Sequence, residues 1–190
     1  MEGKSPLPKG ASAGDRVEGS SRFYKRARFT VGSYDEAGRP DAMNAAWGAI
    51  YDNDQVVLCL DKSHKTTRNI ISSKAFTLSF ATVDTVTSAD YVGIVSGNKE
   101  QDKIGKAGWT VKMSTRVNAP IIEELPLVME CELVRIDAEE HIIGKIVNVS
   151  VDESVLGEDG KPDYTLIRPV TYDPVHFNYV ALGNKVARAF

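Results

Sequence analysis

Val56-Val57-Leu58-Cys59-Leu60-Asp61-Lys62-Ser63-His64-Lys65-Thr66-Thr67-Arg68-Asn69-Ile70-Ile71 carries three kinds of structure in sequence. Val56–Leu60 is a continuous run of apolar residues, which suits a buried strand. Asp61–Lys65 is a polar loop. A helix follows over Thr66–Ser72. Thr66 suits the N-cap, and Asn69, three residues on, is placed to bond back to it as in a capping box. A helix start offers unpaired N–H groups and partial positive charge. Ser63 and Thr66 add hydroxyl donors, and Lys62, Lys65 and Arg68 add full charges. The combination suits a phosphate monoester, although a solvated basic helix start would be written with the same residues.

Short strands surround this segment. Phe29–Tyr34 reads as a strand. Asp35-Glu36-Ala37-Gly38 reads as a hairpin turn, with Gly38 supplying positive φ. Ala42–Ile50 is apolar and small. With Phe29–Tyr34 and Val56–Leu60 it suggests a meander. Phe76–Ala81 is a further strand, and Ala89–Val95 a short helix stopping at Ser96-Gly97. Residues 98–120 are polar and read as a long surface excursion, of the sort that carries function in compact domains. Strands resume at Leu127–Ile136 and His141–Val151. Asp152–Asp163 is rich in turn formers. A strand near Asn178–Leu182 and a short helix from Gly183 to Phe190 close the chain. The pattern predicts a mainly β fold with short helices, an antiparallel barrel rather than a parallel α/β sheet.

The 190 residues suit one domain with a substantial core. Hydrophobic residues make up 42% and charged residues 26%, ordinary values for a globular chain. Gly, Ser and Pro fill ten of the first 21 positions. This predicts a flexible arm over 1–22, ahead of a domain spanning 23–190. No apolar run approaches the length of about 18 residues needed for a membrane span. Nothing near Lys4 resembles the apolar core of a signal peptide, so the expected location is cytoplasmic. The net charge of −3, without a basic block, argues against nucleic-acid binding. Cys59 and Cys131 lie in strand-like runs and are expected to be buried thiols. His64, His141 and His176 have no His or Cys partner at metal-ligand spacing, so no metal site is expected. There is no GxGxxG fingerprint, no GxxxxGK[ST] loop and no GxSxG elbow.

Asn44-Ala45-Ala46-Trp47-Gly48-Ala49-Ile50 is the second informative stretch. Small residues on a strand let a flat ligand approach the backbone, although tight packing under a neighbouring element explains them equally.

Taken together, Asp41–Gly48, Ser63–Ile70, Ala89–Gly97, Leu125–Cys131 and Ile142–Ile146 resemble the flavin reductase-like family of FMN-binding split barrels, nearest to its flavoredoxin branch. The resemblance covers about residues 23–190. It implies an antiparallel split β-barrel that binds FMN non-covalently near the interface of a homodimer. It also implies NADH or NADPH as a possible electron donor, or a redox partner protein. By position, Asn44, Ala45, Ala46 and Trp47 would line the isoalloxazine ring, and Asp61, Lys62 and Ser63 would follow the ribityl chain. Lys65, Thr66 and Asn69 would hold the phosphate end, Ser96 and Gly97 would close over the flavin, and Lys103 would follow them. No proton-transfer residue is implied. Many relatives carry a histidine where this chain has Glu139. Here the histidine is His141; positions two apart on a strand share a face, so it could point the same way, although a plain strand histidine fits better. His176, Phe177 and Tyr179 form another aromatic group that could reach the ring or simply pack.

Overall fold

The computed structural model describes residues 26–27 and 29–187. The expected arm at 1–22, the expected onset of order at Phe23 and the last three residues lie outside the described residues. Among the described residues, no helix is long and apolar enough to cross a membrane.

The strands are β1 (Arg26–Ala27), β2 (Phe29–Tyr34), β3 (Pro40–Ala45), β4 (Gly48–Asp52), β5 (Gln55–Leu58), β6 (Ala75–Phe80), β7 (Val111–Met113), β8 (Pro120–Ile122), β9 (Leu127–Ile136), β10 (Ile142–Val151), β11 (Val170–Asp173) and β12 (Asn178–Ala181). The helices are α1 (Lys65–Ser73), α2 (Val86–Ile94), α3 (Lys103–Lys106) and α4 (Tyr164–Ile167). The main sheet has seven strands in the order β3-β2-β6-β9-β10-β5-β4, and every pairing is antiparallel.

This order overturns the meander. β2 and β3 form one hairpin and β4 and β5 another, at opposite edges of the sheet. The Ala42–Ile50 run is therefore two strands, broken at Ala46-Trp47. Those two residues decide the shape. Laid flat, seven strands would hold the outer pair about 29 Å apart. The chain from Ala45 to Gly48 spans no more than about 11 Å. The sheet must therefore curl until its edges nearly meet, and a half-closed barrel results. Irregular register in the β9–β10 pair, between Ile143 and Gly144 and again between Ile146 and Asn148, adds the local twist that curling needs.

Phe29, Val31, Leu58, Phe76, Leu78, Met129 and Ile142 fill the barrel. A second cluster lies outside it, where Ala89 and Val92 of α2 and Ile104 of α3 pack with Ala42 of β3 and with Trp109. The sequence reading of 98–120 as an excursion holds for its polar loops. It missed α3 and the β7–β8 hairpin, elements too short to give a periodic signal. Residues 182–187 form no helix, against expectation. Cys59 is exposed rather than buried, because it lies just past the end of β5, whereas Cys131 is fully buried in the barrel.

Candidate functional site

The site is built where β3, the start of α1 and the segment after α2 converge. After β5, Leu60 is buried and anchors the chain. Asp61 then forms an Asx turn, accepting Ser63 N–H on its side chain at 2.7 Å and His64 N–H on its carbonyl at 3.1 Å. α1 begins at Lys65, with His64 as its N-cap and no side-chain bond to the helix start.

The expected capping box is therefore absent. Thr66 lies inside the first turn, and its hydroxyl donates to Asp41 Oδ2 at 2.6 Å. Asn69 turns inward and donates to Ser33 Oγ at 3.1 Å. A carboxylate buried on β3 needs donors more than a helix start at the surface does, because water can reach the latter.

Asp41 is the hub. It is 2% exposed, and its Oδ1 lies 3.2 Å from Lys103 Nζ. Lys103, at the start of α3, is also buried, and its ammonium donates to the carbonyls of Val92 at 3.3 Å and Val95 at 3.2 Å. Burial lowers the Lys103 pKa, and the Asp41 carboxylate offsets only part of that. Gly97 packs against the same carboxylate. A Cβ there would collide with Asp41 Oδ1 and come within 3.1 Å of Lys65 Cδ, so only glycine lets this loop close on β3.

Around this hub the cations are already engaged. Lys65 Nζ pairs with Asp35 Oδ2 at 3.2 Å, and Arg39 Nε pairs with the same oxygen at 2.9 Å. Arg68 donates to Ser63 O at 2.6 Å and to Asn98 Oδ1, and Asn98 Nδ2 reaches Ser63 O at 3.3 Å. These bonds tie loop 61–64 to segment 96–98. Two hollows meet at Lys65 and Gly97. One, of about 520 Å³, is walled by Arg39, Lys65, Arg68, Asn69, Asn98 and Gln101, among others. The other, of about 120 Å³, includes Asp41, Met43, His64, Thr66, Ser96 and Lys103.

Of the remaining sequence-selected residues, only Ser96 lines either hollow. Asn44 is buried, and neither its Oδ1 nor its Nδ2 has a hydrogen-bond partner. Thr30, opposite it in the β2–β3 register, has an equally unpartnered hydroxyl. Ala45 packs into the barrel core, Ala46 is half-buried, and Trp47 is 56% exposed. Asp61, Lys62, Ser63 and Ser96 are exposed. Lys62 pairs with Glu140 on the β9–β10 hairpin at 3.0 Å. The structure thus gathers Lys65, Thr66, Gly97 and Lys103 around Asp41. It leaves Lys62 bonded to Glu140 and points Ala45 and Asn69 inward.

His141 Nδ1 lies 3.0 Å from Asp137 Oδ2, and His176 Nδ1 lies 2.8 Å from Asp173 Oδ2. Ligand atoms of Asp137, Glu139 and His141 come within 4.8 Å of one another, a grouping that a search for His and Cys partners alone overlooks. Sequence reasoning also passed over Asp41 as a site residue. The signal was there: a carboxylate in an apolar strand is costly unless something meets it.

Residues 21–181 match the flavin reductase like domain. The chain belongs to that family. The curled antiparallel sheet is its split barrel, as the sequence implied. Flavoredoxin of Desulfovibrio vulgaris (Miyazaki F) superposes with a TM-score of 0.84 at 37% identity, covering 95% of this chain and 97% of that one. Flavoredoxin from Methanosarcina acetivorans gives 0.80 at 23% identity, over 92% and 95% of the two chains. Nitrilotriacetate monooxygenase component B from Bacillus cereus gives 0.76 at 18% identity, over 96% and 100%. At the identities of these last two, the likeness is one of fold.

Proposed function

We propose that this flavin reductase-like domain binds one FMN non-covalently per site and uses it as an NAD(P)H-dependent flavin oxidoreductase. The observation that carries the reading is the start of α1, which has no side-chain cap and opens with Lys65 onto a hollow also walled by Arg39 and Arg68. The buried amide of Asn44 on β3 has no partner, and its two N–H donors and its carbonyl match the donors and acceptors along a flavin-ring edge. The uncapped first turn of α1, with Lys65 beside it, suits a phosphate dianion. The residues present therefore fit FMN.

In this reading Asn44, Ala45, Ala46 and Trp47 line the ring, and Asp61, Lys62 and Ser63 follow the ribityl chain. Lys65 meets the phosphate by charge. Thr66 and Asn69 contribute through the backbone that their side chains hold in place. Ser96 and Gly97 form the closing loop, and Lys103 fixes it. Bound there, FMN would supply hydride acceptance and onward electron transfer, while the chain orients it and excludes water.

The proposal includes a homodimer with the flavin near its interface. Trp47, Ile50, Tyr51 and Ile94 leave large apolar side chains exposed on or beside these elements, which supports that view. It also includes a cytoplasmic setting, in keeping with two cysteines that form no disulfide.

The 37% identity to a flavoredoxin favours a second reading, a flavin carrier that exchanges electrons with a redox partner protein. Anaerobic titration followed by absorbance separates the two. Rapid bleaching by NADH or NADPH is the expected result. Bleaching by dithionite alone would move the chain to the carrier reading. A colourless protein that leaves added FMN fluorescence unquenched would mean a barrel without flavin.

A further inference from the structure

Asp41 and Lys103 stand between two helix ends. Asp41 accepts from Thr66 in the first turn of α1, the positive end of that helix. Lys103 donates to Val92 and Val95 carbonyls at the last turn of α2, the negative end of that helix. The carboxylate and the ammonium, 3.2 Å apart, then neutralise one another. Their side chains are 2% and 4% exposed, so bulk water screens the pair little. Both line the 120 Å³ hollow between Thr66 and Gly97. Asp41 and Lys103 therefore balance one another within this wall, which Lys65, paired with Asp35, also lines.

We propose that Asp41 is a positioning residue whose pairing with Lys103 sets the electrostatic balance of the flavin site, and so the preference for reduced over oxidised flavin. The inference rests on the flavin reading above. Reduction adds negative charge to the flavin. An ammonium without its carboxylate favours that charge to the extent that burial leaves it protonated, and a carboxylate without its ammonium opposes it to the same extent. A unit charge acting over a separation of about 10 Å, at an effective dielectric constant of about 20, changes a binding ratio by about tenfold. The pair holds these two effects against each other. It also fixes the approach of segment 95–97 to β3.

The test uses the full chain as wild type, Asp41→Asn, Lys103→Met and the double variant. Affinities for oxidised and dithionite-reduced FMN are measured anaerobically, and thermal unfolding is measured without flavin. Both single variants should unfold at lower temperature. Their binding ratios should move in opposite directions. Asp41→Asn should favour reduced FMN by up to about tenfold, or about 30 mV for a two-electron couple, and Lys103→Met should disfavour it by up to a similar factor. The double variant should return close to wild type. A merely structural pair would leave the ratio unmoved or shift it the same way in both, and either outcome overturns the inference. Should Asp41→Asn fail to fold, Lys103→Met must still lower the ratio and the double variant must restore it. If wild type binds no FMN, the flavin reading falls and this inference with it. If wild type binds but the signs do not oppose, only this inference falls.

Discussion

Lys65 Nζ lies 3.2 Å from Asp35 Oδ2, so the first cation of α1 is held by the hairpin turn between β2 and β3. Partial burial alone would raise the Asp35 carboxyl. The Arg39 backbone N–H, Lys65 and Arg39 outweigh this and hold it at about 2, against an ordinary value of 3.8. A depressed carboxylate stabilises the fold above its unfolded value, and that contribution is lost as pH falls through the folded one. Unfolding by urea should thus show a loss of about 1 kcal/mol attributable to Asp35 between about pH 4 and pH 2. Asp35→Asn should remove that part of the slope. An unchanged slope would detach Asp35 from acid stability.

The phosphate end can be probed by ligand choice. Lys65→Ala combined with Thr66→Ala should weaken FMN by at least about tenfold while affecting riboflavin less, since a charged hydrogen bond is worth about 1.5–3 kcal/mol. Equal losses for both ligands, read by fluorescence quenching, would move the phosphate elsewhere.

Asn44 should trade stability against binding. Its buried amide has no partner, and each such group costs about 1–3 kcal/mol. Asn44→Leu, close in size, should raise the melting temperature of the flavin-free protein and weaken FMN at least about tenfold. A lower melting temperature with intact binding would show that the amide serves the fold.

The two thiols should separate cleanly. Burial and the neighbouring Glu130 carboxylate push Cys131 up to about 12, so it carries almost no thiolate at neutral pH. Cys59 is exposed. A thiol reagent should label Cys59 alone in the native protein and both cysteines in denaturant. Rapid native labelling of Cys131 would mean that the barrel opens there.

Much of the fold was legible because long strands carry their pattern locally. β2, β9 and β10 fall almost where alternation and apolar runs place them. α1 also falls in place, one residue longer at each end than its pattern suggested. The strand order was not legible. The β2–β3 and β4–β5 hairpins are local, but their separation to opposite edges is set by β6, β9 and β10, far along the chain. The site was half legible. Ser63–Asn69 announced a helix start with donors and charge. What those donors do depends on Asp41, Asp35 and Ser33, which reach α1 through tertiary packing. Thr66 could be read as a cap only while Asp41 was unplaced.

The Ala46-Trp47 link has a consequence for the life of the protein outside its chemistry. Sheet margins are where strangers add strands, and long ones invite fibrous assembly. Here the two margins are consecutive in the chain and are drawn towards each other by a two-residue tether. A protease cut at Trp47 would leave every strand pairing in place, yet it would untie both margins at once. The nicked protein should keep its secondary structure and lose its solubility.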